Sequence, residues 1–197
     1  MNPIVLPDDS PELLAALRDI LEIGGGVIFP TETVYGIGGD PWDEGALGRV
    51  RRMKGRSEDQ PFTLHLPSVT AVERFGLLDR RTRDIVEHFL PGPYTFLLPA
   101  LPAAPASAVK DGKVGIRVPA HRFFSTVMAR LDRALFGTSV NRSGAPPLVD
   151  LSEIIERFSG VDLIVSGAIE SGIPSAVIDL TVDPPVALRG ELPEGLR

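Results

Sequence analysis

Lys54 and Arg56 flank Gly55 and lead into the run Phe62-Thr63-Leu64-His65-Leu66, a spacing that supports chemistry on an anion. They close a stretch in which Arg49, Arg51, Arg52, Lys54 and Arg56 put five cations into a chain of formal net charge −6. Ala46, Leu47, Val50 and Met53 form the apolar stripe of a helix, which turns Arg49 and Arg52 to solvent. Gly55 should end that helix, so Lys54 and Arg56 are delivered to the turn. In the following strand Phe62, Leu64 and Leu66 point one way, leaving Thr63 and His65 together on the other face. A cationic turn that opens onto a polar strand face suits an oxyanion or a phosphate.

The segment Phe29-Pro30-Thr31-Glu32-Thr33-Val34-Tyr35-Gly36-Ile37-Gly38 offers a second site. Val27, Ile28 and Phe29 read as a buried strand, and Pro30 ends its ladder by lacking a donor. Thr31, Glu32, Thr33 and Tyr35 then stand at the mouth of a sheet, where open α/β folds keep ligands, and Gly36, Gly38 and Gly39 predict a glycine-rich turn. An ordinary strand exit fits the same residues. Arg117 lies opposite the apolar set Val114, Ile116 and Val118, so it faces either solvent or a polar cavity. Ser139, Asn141 and Ser143 before Gly144 form a hydroxyl-rich turn, and Ser175 and Asp179 bracket Val177 and Ile178 in what could be an edge strand. Other enzyme signatures fail on arithmetic. Gly137-Thr138-Ser139-Val140-Asn141 lacks the last glycine of a nucleophile elbow, and the final histidine, His121, precedes that serine. His65, His88 and His121 are too scattered for local metal pairs, and no phosphate-loop or dinucleotide glycine motif occurs.

The elements that must carry these residues alternate along the chain. Ser10 as N-cap and Pro11 at the first helical position predict a helix whose stripe is Leu13, Leu14, Leu17, Ile20 and Leu21, ended by Gly24-Gly25-Gly26. Further helices are predicted over residues 44–53, 69–75, 80–89, 123–131 and 153–158. Strands are predicted over 27–29, 62–66, 95–98, 114–118, 135–139, 163–165, 176–180 and 186–188. The alternation predicts an α/β or α+β fold, a single domain over residues 1–197 with a twisted, mixed sheet. A chain of 197 residues buries a sizeable core without staples. Zero cysteines exclude disulfides, zinc-thiolate sites and a thiol nucleophile. No segment reads as a signal peptide or a membrane span, which predicts a soluble cytoplasmic protein with no membrane partner. The acidic balance argues against a general nucleic-acid binder, so any tRNA or RNA contact would be weak and use a local patch.

In order, the run from Pro30 to Gly38, Lys54-Gly55-Arg56 with Pro61, Val114-Gly115-Ile116-Arg117-Val118-Pro119, Ser139-Val140-Asn141-Arg142-Ser143-Gly144 and Ser175-Ala176-Val177-Ile178-Asp179 before Arg189 resemble the YrdC-like threonylcarbamoyl-AMP synthases. The resemblance implies a YrdC-like fold with a large concave surface. It also implies a nucleotidyltransferase that converts L-threonine, bicarbonate and ATP to threonylcarbamoyl-AMP and pyrophosphate, the first step in modifying tRNAs that read codons beginning with A. Mg2+ would accompany ATP without protein ligands, and a downstream tRNA threonylcarbamoyl transferase complex would take the product. By the same resemblance Lys54, Arg56, Gln60, Ser139, Asn141 and Arg189 contact ATP, with Gln60 where the family usually has Asn. Thr33, His65, Arg117 and Ser175 contact threonine. No catalytic base is assigned.

Departures from the family pattern stand at Ser57, Lys113, Val140, Ala176 and Pro147-Leu148-Val149, and the chain ends at Arg197 without the further C-terminal domain of some relatives. Two other functions are compatible with the resemblance: a carbamoyl-adenylate-forming domain, whose known carriers are longer and bear cysteine motifs, and a non-catalytic RNA-binding module.

Overall fold

Short apolar and β-branched runs assemble into one mixed sheet in the computed structural model, which describes residues 3–196. Met1, Asn2 and Arg197 lie outside the described residues, so the sequence expectations for the two chain ends are not addressed there. The strands are β1 (Ile4–Pro7), β2 (Val27–Phe29), β3 (Gly36–Gly39), β4 (Thr63–His65), β5 (Tyr94–Pro99), β6 (Val109–Lys110), β7 (Lys113–Arg117), β8 (Leu135–Ser139), β9 (Leu163–Ser166), β10 (Ala176–Asp179) and β11 (Val186–Arg189). The α-helices are α1 (Leu13–Glu22), α2 (Glu44–Lys54), α3 (Arg80–Phe89), α4 (Ala129–Leu131) and α5 (Leu151–Arg157). The sheet runs β1-β9-β2-β3-β8-β4-β7-β5-β10-β11, and β6 pairs with the start of β7. Parallel pairs such as β4 with β7 and β5 with β10 are mixed with antiparallel ones such as β8 with β4.

Alternation along the strands sets the layers. Val27 and Phe29 pack with Leu13, Leu17 and Leu21 of α1, while Ile28 turns to the other face against Leu47 and Val50 of α2. Farther along the sheet, Leu64, Phe96, Ile116 and Ile178 pack against Ile85 and Val86 of α3. No helix among the described residues is long and apolar enough to cross a membrane.

Several sequence expectations change. Gly36–Gly39 is no turn but a buried strand, antiparallel to both β2 and β8. Its glycines answer to crowding: a Cβ on Gly38 would lie 1.7 Å from the Phe136 carbonyl oxygen. Helix α1 starts at Leu13 with no side-chain cap, because the Ser10 hydroxyl accepts from the Glu12 amide and closes a turn before the helix. Residues 70–74 are 3-10 rather than α-helical, and Phe124–Met128 is a π-helical segment that runs into α4. Strands β1 and β6 carry no periodicity long enough to read. β10 is interior, between β5 and β11, and not an edge.

Candidate functional site

The polar halves of five strands share one face. Opposite the apolar layer, β4 presents Thr63 and His65, β7 Gly115 and Arg117, β8 Gly137 and Ser139, β5 Thr95 and Leu97, and β10 Val177 and Asp179; all line one cavity of about 530 Å3. Register sets them side by side, with His65 beside Arg117, Thr63 beside Gly137, and Leu97 beside both Gly115 and Asp179. The size is ordinary for a small-molecule site. Gly137 keeps the floor open, since a Cβ there would meet the His65 ring at 2.6 Å.

The cavity is cationic within an acidic protein. Arg56, Lys110, Lys113, Arg117 and Arg189 line it against the carboxylates of Asp111 and Asp179. Asp179 is already engaged: it accepts from Lys113 Nζ at 2.7 Å and from the Thr181 amide and hydroxyl. Burial would raise the pKa of Asp179, but these bonds outweigh it and hold the carboxyl below its ordinary range. His65 adds no charge. Burial first, and then the neighbouring Arg117, push its pKa down to about 3, so the ring is neutral at physiological pH.

Arg117 is buried at 4% exposure, and its surroundings fix its orientation. Nη2 donates to Thr33 Oγ1 at 2.7 Å and lies 2.9 Å from Glu32 Oε1. Thr31 Oγ1 donates its one proton to the Val34 carbonyl at 2.7 Å, so in the 2.8 Å contact between the two hydroxyls Thr33 is the donor. The chain therefore runs from Arg117 to Thr33 to Thr31 to the Val34 carbonyl, every donor and acceptor in sequence. Arg117 thus faces the cavity, the second of its two open readings, while Thr33 stands behind it and does not line the cavity.

Lys54 sits behind the wall, and half-buried Asn141 lines a neighbouring cavity with Arg142, Leu148 and Val149. Gly55, at φ 63°, caps α2 in the left-handed conformation and turns the chain so that Lys54 is buried at 2% exposure. Its Nζ donates to the Ser139 carbonyl, to the Asn141 carbonyl at 2.8 Å and to Asn141 Oδ1 at 3.1 Å. Asn141 Nδ2 donates onward to the Arg142 and Ala145 carbonyls, which ties down the turn that carries Ser139. Burial, then the charge of Arg56, lower the Lys54 pKa to about 7. Neither residue lines the cavity; both shape the segment that does.

Arg56 and Gln60 line the cavity at the end of the loop after α2. Arg56 donates from Nη2 to the Pro61 carbonyl at 2.7 Å and lies over the Phe62 ring. Across the cavity, Arg189 donates from Nε to the Ser175 carbonyl at 3.0 Å and from Nη2 to the Ser175 hydroxyl at 3.3 Å. Ser175 also shares a proton with Thr95 at 3.0 Å. The structure therefore gathers Arg56, Gln60, His65, Arg117, Ser139, Ser175 and Arg189 on one cavity, with Arg189 and Ser175 in direct contact. Thr95 was not singled out in the sequence, although the alternation Thr95, Leu97 against Phe96, Leu98 carries it. Lys110 and Asp111 sit in a two-residue strand and its turn, where no pattern exists to read.

Comparison with known proteins shows the family and the fold. The family model Sua5_yciO_yrdC, described as Telomere recombination, matches residues 19–190. The chain is 36% identical over 173 residues to the threonylcarbamoyl-AMP synthase of Pyrococcus abyssi, which spans 85% of this chain and 51% of that protein. It is 36% identical over 148 residues to the threonylcarbamoyl-AMP synthase of Nitrosococcus oceani, covering 73% of this chain and 80% of that one. The crystal structure of Pyrococcus abyssi Sua5 complexed with L-threonine superposes with a TM-score of 0.86 at 31% identity, over 96% of this chain and 57% of that chain. This chain thus spans about half the length of the Pyrococcus abyssi relative.

Proposed function

Because the chain belongs to the Sua5/YciO/YrdC family, we propose that it is a threonylcarbamoyl-AMP synthase. The threonine amine attacks CO2 derived from bicarbonate, a carbamate oxygen attacks the α-phosphorus of ATP, and pyrophosphate leaves. Transfer at phosphorus is mostly positioning and charge neutralisation. The observation that carries the reading is the convergence of Arg56, Arg117 and Arg189 on one cavity of about 530 Å3. Two anionic groups need such cations: a triphosphate and an amino-acid carboxylate.

In this reading the guanidinium of Arg117 takes the threonine carboxylate. Ser175 with Thr95 supplies hydroxyls beside the amino acid, and neutral His65 lines that end without repelling its ammonium. Arg56, Gln60, Ser139 and Arg189 face the nucleotide. Lys54, Asn141 and Thr33 act one step removed, by holding Ser139 and Arg117. Among the described residues no group of three or more His, Cys, Asp and Glu side chains could hold a metal. Mg2+ enters on the ATP phosphates, as part of that substrate. The product's mixed anhydride suits transfer to a tRNA adenosine by a separate transferase complex, in the cytoplasm.

The test is to incubate the protein with ATP, Mg2+, bicarbonate and threonine and to follow pyrophosphate and the adduct mass. Release should require both threonine and bicarbonate. Equally fast release with carbamoyl phosphate in place of both would replace this reading with carbamoyl-adenylate formation. RNA affinity with a steep salt dependence and no ATP turnover would make the chain a binding module.

A further inference from the structure

Glu32 is the one charged residue of the Thr31–Tyr35 turn, and the proposed function leaves it without a role. Its side chain is buried, with 6% exposure for the residue, yet it does not line the cavity. Neither carboxylate oxygen has a hydrogen bond of good geometry, and the contact with Arg117 Nη2 at 2.9 Å is its ion pair. Taking a carboxylate out of water is costly unless it is paired, so the position is demanding for an ordinary turn residue. The backbone beneath it is locked: the Glu32 carbonyl accepts from the Glu170 and Ser171 amides, both at 3.1 Å, and the Thr33 carbonyl from the Gly172 amide at 2.9 Å.

Arg117 has five N–H donors in a rigid fork. The contacts described for it all use Nη2, which has Thr33 Oγ1 on one side and Glu32 Oε1 on the other. A guanidinium whose Nη2 is held by one hydrogen bond, to Thr33, and one ion-pair contact, to Glu32, cannot pivot about its Cδ–Nε bond without losing one of them. Arg117 lines the cavity whereas Glu32 and Thr33 do not, and Nε of the same guanidinium is buried without a hydrogen-bond partner.

We propose that Glu32 is a positioning residue for the amino-acid carboxylate: with the Thr33–Thr31 hydroxyl chain it holds Nη2 of Arg117, so that the rest of the guanidinium fork meets the ligand's carboxylate in a preset orientation. The ligand class is a free α-amino acid, and the proposal rests on the synthase reading for its identity as threonine. Glu32 touches neither substrate. It acts through Arg117 by fixing the direction of the fork and by balancing its charge when the subsite is empty.

The experiment compares the full chain with Glu32→Gln, which keeps the shape and removes the charge. Two readouts are taken: the arginine side-chain 15N–1H spectrum, with Arg117 assigned through Arg117→Lys, and the kinetics of pyrophosphate release. In the parent protein the Arg117 Nη2 protons should be resolved by hindered rotation; in Glu32→Gln they should average. The KM for threonine should rise at least about tenfold, as for loss of one partner of a buried charge pair, with kcat and ATP affinity within about twofold. An unchanged Arg117 spectrum, or a threonine KM that stays or falls, overturns the proposal. If the parent protein shows no turnover with threonine, the synthase reading fails and the spectrum alone decides whether Glu32 holds Arg117. Should Glu32→Gln not fold, Glu32→Asp keeps the charge but withdraws the carboxylate, and the same outcomes apply.

Discussion

Removing the Arg117 side chain strips Glu32 of its counter-ion, so Arg117→Ala mixes binding with folding. The alanine variant should lose about 3–5 kcal/mol of stability, the usual result of breaking a buried pair from one side. Arg117→Lys separates the effects, because an ammonium still faces Glu32 but lacks the planar fork. It should stay folded and need at least about tenfold more threonine, a difference of ~1.4 kcal/mol, with ATP binding measured without threonine nearly unchanged. Loss of ATP binding with normal threonine binding would exchange the two subsites. Lys54 and Arg56 invite a similar contrast, since they are two residues apart and differ in what they touch. Arg56→Ala should weaken ATP by roughly 1.5–3 kcal/mol, the range of a bond to a charged group, with little change in Tm. Lys54→Met removes the ammonium donor from the Ser139 and Asn141 carbonyls, and leaves Asn141 Oδ1 only the bond from the Ser139 hydroxyl. It should lower stability by about 1–3 kcal/mol and weaken ATP together with it. Thermal unfolding beside calorimetric titration of ATP distinguishes the two, and normal stability in Lys54→Met would show that the clamp is not holding the turn.

β3 is the element on which the cavity's back wall depends, and it is made almost wholly of glycine. A Cβ on Gly38 would lie 1.7 Å from the Phe136 carbonyl oxygen, a backbone atom that cannot move without opening the β3–β8 ladder. Gly38→Ala should therefore cost about 3 kcal/mol or more, at the high end of overpacking, equivalent to roughly 6–12 °C in Tm at this chain length. Gly112→Ala is the control: that glycine has φ +72° but nothing within 4 Å of the added carbon, so it carries backbone strain alone. If both alanine variants melt alike, strand contact is not the reason for glycine at Gly38. Because β8 continues into Ser139, and Ser139 is pinned by Lys54, a shift of β3 would also reach the Ser139 side of the cavity.

At the scale of the whole molecule, an acidic chain of net charge −6 sets five cations against two carboxylates around one cavity. Folding brings the cations to the cavity but also buries His65 against Arg117, which sets a pH dependence. The folded ring has a pKa of about 3 against an ordinary 6.5, so below pH 6.5 the unfolded chain takes up a proton that the folded one refuses. Stability should therefore fall as pH drops from 6.5 toward 3 and be indifferent to this group above 6.5. The slope from one proton approaches about 1.4 kcal/mol per pH unit. Urea unfolding at pH 7.5 and pH 5 should show a smaller loss in His65→Gln than in the parent. Equal losses would mean that His65 protonates in the folded state.

Periodicity alone placed Thr63 and His65 on the polar face of β4 and Arg117 opposite its apolar neighbours, because side-chain direction in a strand is a local property. It also placed the helices that carry Leu13, Leu47 and Ile85. Motif order along the chain pointed to the family, since Lys54-Gly55-Arg56, Arg117, Ser139 and Ser175 are residues whose identities survive without a structure. Local pattern could not tell a glycine turn from a glycine strand at Gly36–Gly39, because that choice is made by Phe136 and Phe29, far along the chain or across the sheet. Nor could it separate residues that line the cavity from residues packed behind them. Lys54 and Thr33 carry the right chemistry for contact, yet burial and partners from distant segments turn Lys54 onto the Ser139–Asn141 backbone and Thr33 onto Arg117. Which polar group meets the cavity and which stands behind it is a matter of long-range packing, and the tertiary structure decided it.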